Sequence, residues 1–206
     1  MNALIVVDMQ NDFCPGGALA VPDGDRVVPV INKLIEVFDN VIFTQDWHPA
    51  GHSSFVSSHV DKEPFEEIQM PYGPQVLWPD HCIQGTSGAA FHPDLNHNKS
   101  QLILRKGFHK DIDSYSAFYE NDHKTSTGLA GYLRDRGIHT LNITGLAADF
   151  CVKWTVLDAC KEQFKVNVVE DAVRGLDVDG SLARAWEEMD DEGANRTDST
   201  SLLTRF

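Results

Sequence analysis

The 206-residue chain is poor in cysteine, and its four cysteines, Cys14, Cys82, Cys151 and Cys160, are scattered without paired spacing. That scatter excludes a disulfide framework and a zinc ribbon. Positive charge is also scarce. There are 17 Lys and Arg against 31 Asp and Glu, a formal net charge of −14, which disfavours binding to a nucleic-acid backbone. No apolar run approaches the length of a membrane span. The opening residues, Met1-Asn2-Ala3-Leu4-Ile5-Val6-Val7-Asp8, lack the basic start and cleavage site of a secretory signal. The expectation is a cytoplasmic protein with neither a nucleic-acid nor a membrane partner. No repeat, linker or low-complexity tract divides the chain, so one domain is expected over residues 1–206, long enough for a substantial core. The acidic run Glu187-Glu188-Met189-Asp190-Asp191-Glu192 reads as a solvated helix end.

What is present is an alternation. Apolar runs of strand length fall at residues 3–7, 41–44, 102–104, 140–143 and 166–169, with a last short one near 201–203. Helical patterns fall at residues 26–38, 127–136, 150–162 and 180–188. In the first, Val27, Val30, Ile31, Leu34 and Val37 make one apolar stripe. The second closes on Arg134-Asp135-Arg136-Gly137, basic residues and then a glycine stop. This order predicts an α/β fold: a single three-layer α/β/α domain around a mostly parallel, six-stranded sheet in Rossmann-like order. One stretch, at about 49–100, breaks the pattern. It holds six of the nine prolines and, with the flanking His48, six of the nine histidines. So long a connection inside a compact domain is expected to be a functional, loop-rich insertion.

Ligands of open α/β sheets bind beyond the carboxyl ends of the strands. There this chain places Asp8, then Asp46-Trp47-His48, then Arg105-Lys106, and finally the turn Thr144-Gly145-Leu146-Ala147-Ala148-Asp149-Phe150-Cys151-Val152. Cys151 sits where strand gives way to helix, so the helix's positive end is expected to favour its thiolate. The glycine and small residues before it leave backbone N–H groups free for an oxyanion. Asp8 is the candidate base, and Lys106 is a cation that favours both thiolate and carboxylate. Asp46 and His48 are two apart, so an extended segment points them to one face. His81, on the proline-braced loop Trp78-Pro79-Asp80-His81-Cys82, is the third candidate ligand. One carboxylate and two imidazoles suit one divalent ion, zinc first, with iron or manganese as alternatives. His52 is a further candidate, either a fourth ligand or part of the entrance. His59, His92, His97, His109, His123 and His139 read as ordinary polar or core histidines.

Taken together, these stretches resemble the nicotinamidases and pyrazinamidases of the isochorismatase-like cysteine hydrolases. The resemblance rests on Asp8-Met9-Gln10-Asn11-Asp12-Phe13-Cys14-Pro15-Gly16-Gly17, Gln45-Asp46-Trp47-His48-Pro49, Trp78-Pro79-Asp80-His81-Cys82, Lys106-Gly107, Asp113-Ser114-Tyr115-Ser116-Ala117-Phe118 and the Cys151 turn. The motifs come in the family's order and span residues 4 to about 175. The resemblance implies hydrolysis of nicotinamide to nicotinate and ammonia in pyridine-nucleotide salvage, with pyrazinamide accepted too. It implies Cys151 as nucleophile, Asp8 as base and Lys106 as its partner. The implied metal ligands are Asp46, His48 and His81, holding an ion that receives the pyridine nitrogen. It further implies a cis peptide between Leu146 and Ala147, with the amides of Ala147 and Cys151 as oxyanion donors. Phe13 and Trp78 would sandwich the ring, with Tyr115 close by and Leu146 and Ala147 also against the substrate. Phe150 stands where relatives carry Tyr or His.

Three alternatives remain at this stage. One is a cysteine amidohydrolase of the same superfamily acting on another amide or ureido substrate. A second, of a different class, is a non-catalytic metal- or ligand-binding protein, against which the set Asp8, Lys106 and Cys151 speaks. The third is hydrolysis by a metal-bound water, with Cys151 structural. The expected partner is a small molecule, and a homo-oligomer is compatible with everything above.

Overall fold

The computed structural model describes residues 1–204. Its main sheet has six strands: β1 (Asn2–Val7), β2 (Val41–Asp46), β5 (Leu102–Lys106), β6 (Thr140–Leu146), β7 (Lys165–Arg174) and β8 (Asn195–Thr197). Their order is β5-β2-β1-β6-β7-β8, and every pairing is parallel. Among the described residues the α-helices are α1 (Val28–Val37), α2 (Leu129–Asp135), α3 (Lys153–Lys161), α4 (Ser181–Asp191) and α5 (Ser199–Leu203). The expected α/β/α layering follows from the alternation along β1. Leu4 and Val6 join a core with Ile31 and Leu34 of α1. Ala3, Ile5 and Val7 join a second core with Leu133 of α2 and Val156 of α3. Successive side chains of a strand face opposite sides, so a strand covered on both faces is apolar throughout.

Chain order positions the site. From β1 the chain steps outward to β2 and β5, then returns to the other side of β1 with β6 and moves out through β7 and β8. The switch point lies between β1 and β6, where an open parallel sheet leaves a crevice at its carboxyl edge. Gly145 sits at that junction with φ +107°, opposite Val7, and a Cβ there would lie 2.0 Å from the Val7 carbonyl oxygen. Only glycine fits so close a backbone approach.

Two expectations need correction. The sixth strand is Asn195–Thr197, and residues 201–203 belong to α5. The Asp198 side chain accepts the Ser201 N–H at 2.8 Å and so starts a helix, while Leu202 inserts into the core on the α1 side. The long insertion also contains a two-stranded antiparallel hairpin, β3 (Glu67–Met70) and β4 (Gly73–Val76), where no regular structure was expected. Among the described residues no helix is long and apolar enough to cross a membrane.

Candidate active site

The ends of β1, β2 and β5 and the turn after β6 converge as the sequence led us to expect. Asp46 lies directly opposite Lys106 in the β2–β5 ladder. Lys106 is buried, its Nζ 2.8 Å from Asp8 Oδ2, 2.9 Å from Asp46 Oδ1 and 3.4 Å from Cys151 Sγ. It also donates to the Ser114 carbonyl at 2.9 Å. Asp8 is fully buried and accepts the Thr44 hydroxyl at 2.6 Å. Cys151 lies in a π-helical turn, Ala148–Val152, that leads directly into α3. The turn opens on the Ala147 carbonyl, which accepts the N–H groups of Phe150 and Val152 at 3.1 Å each. The peptide joining Leu146 to Ala147 is cis.

The electrostatics depart from expectation at the thiol. Burial pushes Cys151 well above the usual thiol range; Lys106 opposes this, but Asp8 and Asp46 add to the rise. Desolvation and the two carboxylates together outweigh the pull of Lys106 and favour the protonated sulfur. Burial likewise raises Asp8, against the pull of Lys106. For Asp46, Lys106 and His48 together overcome burial and hold the carboxyl well below its usual range. Burial pulls Lys106 down, but Asp46 and Asp8 outweigh it, so the ammonium stays charged.

On the other side of Asp46 stand two imidazoles. His48 donates its Nδ1–H to the Gly107 carbonyl at 2.8 Å, and His81 donates its Nδ1–H to the Pro79 carbonyl at 2.8 Å. A carbonyl only accepts, so Nδ1 is the hydrogen-bearing nitrogen of both rings and Nε2 is the atom left to ligate an ion; without an ion, burial pulls His48 down but Asp46 outweighs it and raises its pKa. Those two Nε2 atoms face Asp46 Oδ2 at 3.1 Å and 3.4 Å. Three atoms able to ligate thus converge in a buried place. One carboxylate and two imidazoles are a donor set that suits a divalent cation, and the side chains of Asp46, His48 and His81 are close enough together to share one ion. Gly107 makes room for the His48 ring: its φ is +67°, and a Cβ would come within 2.5 Å of His48 Cε1.

His52 lies behind this group, its ring centroid 4.5 Å from that of His48. Its Nδ1 accepts the Ser54 N–H at 3.1 Å and its Nε2 donates to the His109 carbonyl at 2.8 Å. Both nitrogens are thus occupied by the loop. A second cluster, His48, His52 and Asp113, is also compact, but it draws on those same nitrogens.

A narrow cavity opens onto Cys151 and onto Asp46, His81 and Asp113. Of the expected substrate contacts, Phe13, Trp78, Tyr115 and Ala147 line it, together with Cys151, Asp46 and His81. Leu146 does not: its side chain is fully buried in the core on the α1 side, because the last residue of a covered strand points into a layer. Leu19, Asp113, Phe150 and Leu176 also line the cavity and were given no role in advance. Trp78 donates its Nε1–H to the Tyr115 hydroxyl at 3.1 Å and meets Phe150 edge-on at 4.8 Å. Gln75 of the unexpected hairpin donates to Asp113 Oδ2 at 2.9 Å and to the Tyr115 hydroxyl at 2.9 Å.

A profile of the isochorismatase domain matches residues 2–201. This chain belongs to the isochorismatase family. A nicotinamidase of Acinetobacter baylyi is 56% identical over 201 residues, covering 98% of this chain and 94% of that protein. The structure of a nicotinamidase/pyrazinamidase from Acinetobacter baumannii superposes with a TM-score of 0.96 at 59% identity, covering 98% of this chain and 97% of the other. A Pyrococcus horikoshii pyrazinamidase in complex with zinc superposes with a TM-score of 0.78 at 38% identity, covering 96% and 98%. Within this isochorismatase domain the thiol, the carboxylate–lysine pair and the three converging ligands share one cavity.

Proposed function

We propose that this chain is a nicotinamidase, an amidohydrolase that converts nicotinamide to nicotinate and ammonia, with pyrazinamide as a second substrate. The observation that carries the reading is the contact of Cys151 Sγ with Lys106 Nζ at 3.4 Å, beside Asp8, at the wall of a cavity whose other wall holds Asp46 and His81. An amidase needs the first group, and an N-heteroaromatic carboxamide gives the second a purpose. The close nicotinamidase relatives support the same assignment.

Asp46, His48 and His81 would hold a divalent ion, for which zinc is the first candidate. When bound, the ion supplies a Lewis-acidic position for the ring nitrogen. Phe13 and Trp78 flank the ring and orient its carboxamide over Cys151. Asp8, raised by burial, takes the Cys151 proton as the sulfur attacks the amide carbon. The N–H groups of Ala147 and Cys151 receive the oxyanion, worth about 3 kcal/mol per donor. Asp8 passes the proton to the departing ammonia, leaving a Cys151 thioester. Asp8 then draws a proton from water, which adds to the thioester; Asp8 returns that proton to the departing Cys151 sulfur, and the nicotinic acid released ionises to nicotinate. Throughout, Lys106 stays charged and holds Asp8 against the sulfur.

The test is direct: ammonia and nicotinate release from nicotinamide by the purified protein, loaded with zinc and treated with chelator. Release that depends on Cys151 supports the reading, and no release in either state overturns it.

A further inference from the structure

The turn that carries Cys151 also carries Asp149, a carboxylate that the proposed chemistry does not use. Asp149 is buried, and its oxygens serve a different part of the chain. Oδ1 accepts the Leu176 N–H at 3.0 Å, and Oδ2 accepts the Asp177 N–H at 2.8 Å and the Ser181 hydroxyl. Residue 175 is a glycine against this carboxylate; a Cβ there would lie 3.0 Å from Asp149 Oδ1. The connection from β7 to α4 is thus fastened to the nucleophile turn. The fastening has a consequence for the cavity, because Leu176 is one of its walls, together with Phe150, Ala147 and Cys151. Beyond the same connection lies an outer cleft, which shares Trp78 and Phe150 with the inner cavity and is bordered by Val178 and Ser181.

We infer that Asp149 is a positioning residue that fixes the Leu176 wall and thereby limits the size of the aromatic carboxamide the cavity accepts. The inference rests on the nicotinamidase reading for its substrate class. Charge-assisted hydrogen bonds to two successive backbone N–H groups fix the chain at Leu176 more firmly than apolar packing alone. A released connection lets the inner cavity run into the outer cleft. Bare six-membered rings then lose a contact, and ring-substituted ones gain room.

The experiment compares wild type with Asp149→Ala, Asp149→Asn and Leu176→Ala. Each is assayed on nicotinamide and on nicotinamides bearing a methyl or bromo substituent on the ring. In Asp149→Ala, KM for nicotinamide is expected to rise roughly 10-fold while kcat stays within about 3-fold, and the kcat/KM ratio of substituted to unsubstituted substrate to rise roughly 10-fold. Leu176→Ala should shift the ratio in the same direction, and Asp149→Asn should lie between Ala and wild type. If kcat and KM deteriorate together with an unchanged ratio, Asp149 is only structural and the inference falls. If Asp149→Ala does not fold, the ratio in Leu176→Ala decides, and an unchanged ratio overturns the inference. Amide hydrogen exchange at Leu176 and Asp177 judges the clamp without any turnover: protection in wild type and fast exchange in Asp149→Asn are expected. Failure of the wild type to release ammonia from nicotinamide would overturn the functional reading and, with it, the size limit, while the exchange result would still report the clamp. Equal exchange in both proteins would overturn the clamp alone.

Discussion

The two walls of the cavity are held in different ways. On the Cys151 side, sheet register does the work: Val7 faces Gly145 and Asp46 faces Lys106 across parallel ladders, so Asp8, Lys106 and the thiol emerge side by side. On the His81 side the ladder gives way to isolated bridges, Phe55 with Trp78 and His48 with Ile83. Trp78 and His81 sit on loops and Phe13 in a short 3-10 turn, tied further by side chains that bond to backbone. Gln10 spans the junction, its Nε2 donating to the Asp46 carbonyl at 2.8 Å and its Oε1 accepting the Asp46 N–H at 2.8 Å. Asp12 accepts the Cys82 N–H at 2.7 Å and so anchors the His81 loop. Lys106 ends a strand, Asp8 follows one directly and Cys151 lies in the turn after β6, whereas the side chains that would receive and orient a ring are carried by loops and a short 3-10 turn.

That contrast can be broken from either side. The largest effect is expected from Cys151→Ala, which should lower turnover on the order of 10⁵-fold and leave bound metal, read by elemental analysis, unchanged. Retained activity would shift the chemistry to the loop side. Next is Lys106→Met, which leaves two buried carboxylates facing each other without their cation. A loss of about 3–5 kcal/mol in folding stability is expected, measured by urea denaturation, and a near-neutral result would mean that the register does not depend on this pair. On the loop wall, Gln10→Leu should keep the thiol alkylatable but weaken metal retention roughly 10–100-fold in chelator competition. Unaltered metal affinity would show that β2 alone fixes Asp46. The smallest effect concerns protonation. Burial pushes the Cys151 thiol up, and below its pKa the thiolate fraction grows with pH. The iodoacetamide alkylation rate of Cys151 should therefore still be climbing at about pH 8.5, the ordinary thiol value. A plateau below that value would mean that Lys106 wins over desolvation.

How far these features could be read in advance varies with the range of the interaction. The apolar runs and helical stripes were legible because they repeat within a few residues. Asp8, Asp46, Lys106 and Cys151 were legible as a group because a general rule sends strand ends to one edge. The hairpin β3–β4 was hidden by its short, half-exposed strands and by the Gly and Pro within them. Gln10, Asp149, Asp113 and Leu176 gave no local signal: Gln10 meets Asp46 from 36 residues away, and Asp149 meets Leu176 from 27. His52 was open because its spacing from His48 fits several roles, and its hydrogen-bond partners lie near His109 and Ile112. The C-terminal strand was expected six residues too late, because the Asp198 cap turns residues 199–203 into a helix.

The sequence by itself determined the order of strands and helices and the inventory of a thiol, a carboxylate, a lysine and imidazoles at one edge of a parallel sheet. Only the tertiary structure decided which of these touch, which nitrogen of His48 and of His81 faces Asp46, and that burial raises the Cys151 thiol. The reason is that burial and distance set the strength of charge interactions in a low-dielectric interior. Both are properties of segments brought together from distant parts of the chain.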